Sequence, residues 1–490
     1  MNIIAVIFIL YALLMMAIGY LVSKKSKTQS DFVLGGNKLP GWALAFSERA
    51  TGESAWLLLG YTGFVFATGF AGIWVAAGIA SGILFSWLFL AKRFMKETKK
   101  YGVLTLTEYL AVRFKDKANL IRWLIGIVVT GFFMFYVGAQ MAGAGKMLFT
   151  TFEIPPTIGI LIATAIIIFI AFGGGFISVV WTDMIQSVMM VITLVAVPIV
   201  ALFYIFANDL SITQSLADAG STHNKWFGGL TGFSLGILFF NNFSWFFGFL
   251  GGQPQLSARF MALKNNKEAN QGTIVAVIWT ILAYTGAFLI GITAITLYNQ
   301  GVFADVELIL PTMILELMPP WIAGLLLSGI LAAIITTADS QLLVISSSVS
   351  EDIINKALGI KLTEKQLVWV SRLSVLVFGL IGMTIALVSD SLLYLVVGWA
   401  WAGVGCTISP AILMTFFWKK YSGAGVIATV LSGLFSTILW ISTPLEEMMT
   451  SRFTTFFIAL FFGVVFSYLI PDKVDEKEEY RVTTSGKVLP

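Results

Sequence analysis

Ser47-Glu48-Arg49-Ala50-Thr51-Gly52-Glu53-Ser54-Ala55-Trp56 puts three charged residues and a glycine inside an otherwise apolar segment, running from about Pro40 to Ala67. A charge near the middle of a bilayer costs roughly 2.5 to 3.5 kcal/mol on insertion scales. A passive anchor has nothing to offset that cost. Such a segment is expected to be a discontinuous helix whose freed backbone groups bind an ion or a solute. The stretch therefore points to a transporter.

The composition agrees. The chain has 490 residues, 58% hydrophobic and 11% charged, with a mean hydropathy of +0.90. Soluble domains carry about 25% charged residues, so an all-α polytopic membrane protein is expected. The single Cys406 excludes an intrachain disulfide and a cysteine-based metal site. The single His223 sits beside Asn224 and Lys225 and reads as a solvated loop residue. A zinc enzyme needs more ligands than this. No nucleophile-base pair is visible, so an enzyme is not expected, nor is an organic cofactor or a nucleic-acid partner. The expected partners are a small-molecule solute and membrane lipid. Paired broken helices suit a closed, gated site better than an open pore.

At roughly 20 apolar residues per crossing, the sequence yields about 13 spans: 2–22, 40–67, 70–95, 121–148, 155–174, 177–207, 229–253, 270–298, 319–349, 366–388, 391–418, 422–442 and 452–470. The first is followed by Lys24, Lys25 and Lys27, the reverse of a secretory signal, and is expected to be retained. Loops after odd-numbered spans are basic: Lys38, then Lys92 to Lys117, then Arg259 to Lys267, then Lys356 to Lys365, then Lys419 and Lys420. Loops after even-numbered spans hold little beyond Lys146, Lys225 and Arg452, and are richer in acids such as Asp305, Glu307, Glu446 and Glu447. Basic loops stay in the cytoplasm, so the N-terminus is expected outside and the C-terminus inside, in the plasma (inner) membrane. Within the long basic loop, Leu106 to Phe114 reads as a short amphipathic helix at the cytoplasmic surface. The tail from Pro471 to Pro490 is expected to leave no room for an output domain, which disfavours a transporter-like sensor.

Two more segments break the apolar rule. Span 7 contains Gly248 and then Gly251-Gly252-Gln253-Pro254, where Gly and Pro free backbone carbonyls. Span 9 contains Thr336-Thr337-Ala338-Asp339-Ser340. Spans 2 and 7 lie five spans apart, which suits two five-helix repeats, each opening on a broken helix. The expected division is a peripheral helix and loop at 1–39, a first repeat at 40–207, an external loop at 208–228, a second repeat at 229–420, two peripheral helices at 421–470 and a tail at 471–490. Sodium is a hard cation that wants oxygen ligands. Carbonyls at the breaks, hydroxyls of Thr336 and Thr337, and the carboxylates of Asp183 and Asp339 could supply them. Helix-helix hydrogen bonding is the plainer role for the two threonines.

Gly173-Gly174-Gly175-Phe176-Ile177-Ser178-Val179-Val180-Trp181-Thr182-Asp183 resembles the signature of the sodium:solute symporters. The resemblance extends through Ser54-Ala55-Trp56-Leu57-Leu58, Gln253-Pro254, Ala258-Arg259-Phe260-Met261-Ala262, Leu331-Ala332-Ala333 and Ala400-Trp401-Ala402-Gly403. Within the family it is similar to the members that carry proline. It implies a LeuT-like core of two inverted five-helix repeats, alternating access, and Na+ as the coupling ion for uptake of a small organic solute. It places sodium at Ala50, Glu53, Ala333, Thr336 and Thr337, and a second sodium at Asp183, Asp339 and Ser340. By the same resemblance the solute faces Gly52, Glu53, Trp56, Tyr136, Gln253 and Pro254. An ungapped match adds Phe246 and Leu250, whereas a rotated helix would present Trp245 and Phe249.

Gly52 departs from the family pattern, in which an Asp stands there, and Glu53 follows one residue later. Glu53 has three readings: a displaced carboxylate holding sodium or the solute's ammonium, a proton carrier, or a structural ion pair with Arg49 at i−4. The expected solute is proline or a related amino acid. Proton coupling, or sodium coupling to a cationic amine or a monocarboxylate, is the alternative.

Overall fold

The computed structural model of the chain describes residues 3–23, 29–389 and 392–472. Lys24, Lys25 and Lys27, which contributed to the topology argument, lie outside the described residues, as does the tail beyond Asp472. The described residues contain helices and no strand. Nine helical stretches among them are long and apolar enough to cross a membrane by length and composition. That measure does not return the expected 13. The 61-residue stretch Gly41–Tyr101 holds two predicted spans, and the apolar helices Ile3–Gly19 and Pro156–Phe172 are shorter. The Gly232–Phe243 helix has only 12 residues because its span is interrupted.

The interruptions follow from local backbone geometry. In Gly41–Ala55, Ser54 leaves the helical region at φ 52 and ψ −173. The chain then continues through a wide-turn segment, Trp56–Tyr61, into Thr62–Thr68. Pro156–Ala207 would be about 78 Å long if straight, more than twice the hydrocarbon thickness. It turns at Gly175, φ 59, inside the glycine-rich signature. The second broken helix runs through Gly232–Phe243 and Trp245–Gly248, passes an irregular stretch with Gly251 at φ 89, and resumes as Pro254–Met261. Pro254 opens that last piece, where a missing N–H costs nothing.

The inner half of the first broken helix is enclosed by Asn266–Leu297, Pro156–Ala207, Pro320–Ser347 and Pro254–Met261. Its residues from Ser47 to Ala55 are all buried, so the charges of the opening stretch sit in the protein core and face no lipid. Helix Ile3–Ser23 packs on Pro156–Ala207 and Pro320–Ser347, and Ser451–Leu469 packs on Gly423–Ile441.

Two sequence expectations are altered by packing. The helix at Leu106–Arg113 exists, capped by the Thr105 hydroxyl on the Glu108 N–H at 2.9 Å. Leu106 through Ala111 are buried, so it is packed into the protein and does not lie on a surface. His223 is half-buried rather than solvated. Its loop folds over the far end of the first broken helix, where its carbonyl accepts from Phe70 N–H at 2.9 Å. Lys146, Asp305 and Glu307, counted as separate loop charges, form one cluster: Lys146 Nζ lies 2.7 Å from Asp305 and 2.6 Å from Glu307. Glu307 also accepts from the N–H groups of Leu393 and Tyr394 at 3.1 and 2.9 Å, holding the start of Leu393–Trp401.

The break at Ser54 needs its amides satisfied. Ser54 Oγ accepts from Trp56 N–H at 2.9 Å, and Gln140 Oε1 accepts from Ala55 N–H at 3.2 Å. Gln140→Leu leaves the Ala55 amide buried without an acceptor, which costs about 1 to 3 kcal/mol. We expect a lower melting temperature in detergent and slower solute uptake, checked by thermal shift and transport on the same preparation.

Candidate functional site

Two polar clusters and one aromatic space meet at the break of the first broken helix. The first cluster begins with the carbonyls one turn before Ser54. Thr336 Oγ1 donates to Ala50 O at 3.3 Å and to Ala333 O at 3.1 Å. Thr337 Oγ1 donates to Thr51 O at 3.2 Å. The threonines of Pro320–Ser347 therefore touch the carbonyls beside the break. Hydroxyls that now donate to these carbonyls can turn and offer lone pairs, leaving an all-oxygen set suited to a hard monovalent cation. The Glu53 carbonyl accepts from Trp56 N–H and keeps a second lone pair.

Deeper in the core, Asp183 Oδ2 accepts from Ser47 Oγ at 2.6 Å and from Arg259 Nη2 at 3.1 Å. Arg259 Nη2 also donates to Ser340 Oγ at 2.7 Å, and Nη1 to Gln255 O at 2.7 Å. Thr51 and Ser340 hydroxyls lie 3.0 Å apart. Phe176, just past the turn at Gly175, lies under the Arg259 guanidinium at 5.1 Å. Asp339 is fully buried, and neither of its oxygens has a hydrogen-bond partner; Asp183 Oδ1 has none either. Unpaired buried carboxylate oxygens are costly unless the group is neutral or a cation stands beside it.

Glu53 forms the ion pair that its spacing from Arg49 allows. Arg49 Nη1 lies 2.6 Å from Glu53 Oε1. The other Glu53 oxygen closely accepts the Tyr284 hydroxyl. Arg49 is forked onto Glu48 as well, through Nε at 2.6 Å and a close Nη2 contact. Trp87 Nε1 donates to Glu48 Oε2 at 2.9 Å. Both Glu53 oxygens are thus engaged by protein donors.

The aromatic space lies on the other side of the break. Gly52, Glu53, Trp56, Ile79, Tyr136, Trp245, Phe249, Val397 and Trp401 converge on a closed aromatic seam with no free room for a water molecule. Trp56 and Trp245, one from each broken helix, have ring centroids 4.3 Å apart. Phe249 and Trp401 are 4.7 Å apart. The Tyr136 hydroxyl donates to Ser54 Oγ at 3.3 Å. At about 100° per residue, Trp245 and Phe249 share one helix face, and Phe246 and Leu250 fall on the next. Leu250 packs with Cys406 and Phe456, and Phe246 joins that cluster, so the structure does not bring these two to the space. Gln253 and Pro254 do not line it either. Gln253 starts the next helix piece, accepting from Ser257 N–H at 2.9 Å. Gly52 does line it; a Cβ there would meet Leu256 at 3.4 Å and Arg49 Nη2 at 3.6 Å, ordinary contact.

The model of the sodium:solute symporter family matches residues 32–433. The chain belongs to the sodium:solute symporter family. Among its relatives, the high-affinity proline transporter PutP of Bacillus subtilis is 33% identical over 479 residues, 96% of this chain and 100% of that one. The sodium/proline symporter of Escherichia coli is 30% identical over 444 residues, 89% of this chain and 87% of that one. A solved Na+-coupled sialic acid symporter, in a substrate-bound outward-open state, superposes with a TM-score of 0.79 at 21% identity, covering 96% of this chain and 99% of that one. The fold is therefore LeuT-like, with a core of two inverted five-helix repeats, and this family member is an integral membrane transporter.

Several residues that shape the site were not singled out by the sequence. Trp401 lay within a stretch already matched to the family, and Gln140 stands one turn from Tyr136 on the same helix. Both signals were available. Arg259, a charge within a helix piece that the structure buries, was another. Tyr284 gave no signal, because its role depends on which helix lies opposite Glu53.

Glu53→Gln keeps the shape but presents an amide to two donors. Losing the charge costs about 1 to 3 kcal/mol, moderated by the fork that Arg49 keeps on Glu48. A lower melting temperature with an unmoved pH profile of uptake is expected. A profile that flattens would make Glu53 a proton carrier.

Proposed function

We propose that this protein is a sodium-coupled symporter that takes up proline, or a closely related amino acid, by alternating access. The observation that carries the reading is the contact of Thr336 and Thr337 with the carbonyls of Ala50 and Thr51, directly beside an aromatic space shared by both broken helices. Its relatives at 30 and 33% identity, a sodium/proline symporter and a proline transporter, support the choice of ion and solute.

In this reading sodium is held by the carbonyls of Ala50, Glu53 and Ala333 and the hydroxyls of Thr336 and Thr337. A second cation sits at Asp183, Asp339 and Ser340, supported by the unpartnered oxygens of Asp339. The solute lies against Gly52, Trp56, Tyr136, Trp245 and Phe249, its apolar ring on the aromatic faces and its ammonium within cation-π reach. Phe246, Leu250, Gln253 and Pro254 support the wall from behind. The Glu53 side chain steadies the break, and only its carbonyl meets the ion. The chain crosses the plasma membrane 13 times with its N-terminus outside, and is divided into repeats at 40–207 and 229–420. Binding of sodium on the freed carbonyls of one broken helix organises the break that forms part of the solute's surface, which couples the two.

Uptake of radiolabelled proline into proteoliposomes tests this directly. Accumulation driven by an inward sodium gradient, and not by a proton gradient, is the expected result. Proton-driven accumulation would reassign the ion, and no proline uptake under either gradient would reassign the solute. Thr337→Ala removes one cation ligand. We expect the sodium concentration for half-maximal uptake to rise at least about tenfold, about 1.4 kcal/mol, with a smaller change in proline affinity at saturating sodium.

A further inference from the structure

Arg452 is the second residue of the last helix, Ser451–Leu469, and is only 6% exposed. The position is unfavourable for a cation twice over: it is buried, and it sits at the positive end of a helix dipole. No carboxylate lies within 4.0 Å of it among the described residues. The neighbouring acid, Glu446, has both oxygens on Ser451, at 2.7 Å from its N–H and 3.3 Å from its hydroxyl.

The guanidinium lies instead over the Trp245 ring, 4.4 Å from its centroid, and Nε donates to Ser244 Oγ at 3.2 Å. Gly398 makes room for it; a Cβ there would stand 2.5 Å from Arg452 Nη1. The same Trp245 ring meets Trp56 at 4.3 Å across the space. A cation, an indole and a second, tilted indole thus form a continuous line of contact from the last helix to the first broken helix. Polar ties reinforce it. Thr450 N–H donates to Asn241 Oδ1 at 2.9 Å, and the hydroxyls of Ser244 and Thr450 lie 3.1 Å apart. The outer half of the second broken helix is therefore gripped by a helix outside the ten-helix core, while its inner half, Pro254–Met261, packs on Gly41–Ala55 and Ala91–Tyr101.

We propose that Arg452 is a positioning residue of the solute site: it holds the Trp245 indole against Trp56 and so sets the outer wall of the aromatic space. The inference rests on the reading that Trp245 faces the solute. Arg452→Met keeps an unbranched apolar stem and removes the guanidinium with its charge. In proteoliposomes it is expected to raise the KM for proline about tenfold, about 1.4 kcal/mol, with little change in Vmax per molecule or in sodium half-saturation. Arg452→Lys is expected to restore part of the affinity, since a charge still stands over the ring. Ser244→Ala removes the Nε acceptor together with the Asn241 and Thr450 contacts of that hydroxyl, and is expected to raise KM about threefold. In a Trp245→Phe background the effect of Arg452→Met is expected to shrink by more than half, because the ring it acts through is gone.

An unchanged KM in Arg452→Met, or full additivity with Trp245→Phe, overturns the proposal. If Arg452→Met does not fold, an unchanged KM in both Arg452→Lys and Ser244→Ala overturns it. Cys406, the only cysteine, packs between Leu250 and Phe456 at the seam between the two helices. Its alkylation in membranes needs no solute and is expected to speed up several-fold in Arg452→Lys and Ser244→Ala. If the wild-type chain accumulates no proline, the reading of the solute fails, and the alkylation rate alone decides this one, an unchanged rate rejecting it.

Discussion

A single non-helical residue, Ser54 at φ 52, is the constraint on which the site depends. Inside a bilayer every backbone group must find a partner in the protein. An interruption there is tolerable only if other groups take over the orphaned donors and acceptors. The donors go to Ser54 Oγ and Gln140. The acceptors before the break, at Ala50 and Thr51, go to two threonine hydroxyls from a helix nearly 300 residues away in sequence. The asymmetry matters. The donors are tied to side-chain oxygens that must keep a lone pair on them, whereas the acceptors are held by hydroxyl hydrogens that can turn away and leave them to a cation. The break is fixed on one side and exchangeable on the other.

The buried charges follow the same logic. An isolated guanidinium in the core would cost far more than the 5 to 15 kcal/mol that holds a typical domain together. Arg49 is therefore forked onto Glu48 and paired with Glu53, and Arg259 is spread over Asp183, Ser340 and the Gln255 carbonyl. Arg49 is paired within its own helix, whose Glu48 and Glu53 in turn hold Trp87 and Tyr284 of other elements, whereas Arg259 joins other elements directly. Arg259, on Pro254–Met261, reaches Ser47 Oγ at 3.1 Å on Gly41–Ala55. The two inner halves are thus linked through a charged network that would be expensive to break in a dry interior. Buried ion pairs of this kind add little net stability but restrict the arrangements available to their helices.

The sequence disclosed the breaks because Gly, Pro and charges have few uses within a membrane span. It disclosed the i,i+4 pairing of Arg49 with Glu53 because helix geometry is local. It also singled out the hydroxyl and carboxylate positions that the structure gathers beside the break, since such residues within a span are rare. The rotation of the second broken helix was not legible. Whether Trp245 and Phe249 or Phe246 and Leu250 face inward turns on a shift of one residue, about 100°, and both faces are aromatic and apolar, so hydropathy does not choose. What chooses is contact across the fold. Gly248 allows the Trp401 indole to press against the helix at one rotation, and Leu250 finds Cys406 and Phe456 on the opposite side. Tyr284 and Arg452 were hidden for a related reason: a lone polar residue near a span gains meaning only when its neighbour is known.

Charge balance joins the two polar clusters into one device. The inner core holds four carboxylates, Glu48, Glu53, Asp183 and Asp339, against two guanidiniums, Arg49 and Arg259, all of them buried. Three of the carboxylates are paired with an arginine; Asp339 is not. Asp339 stands two residues beyond Thr337 on the same helix, so a cation among the threonines and the Ala50, Glu53 and Ala333 carbonyls would also lower the cost of a charge there. A cation there would replace the threonine hydroxyls on the carbonyls that they now satisfy, and would stand near a carboxylate that no arginine pairs directly. In the proposed reading, ion affinity and closure of the core around the break are tied by one electrostatic balance, to which a solute held on the Gly52 side of that break would respond.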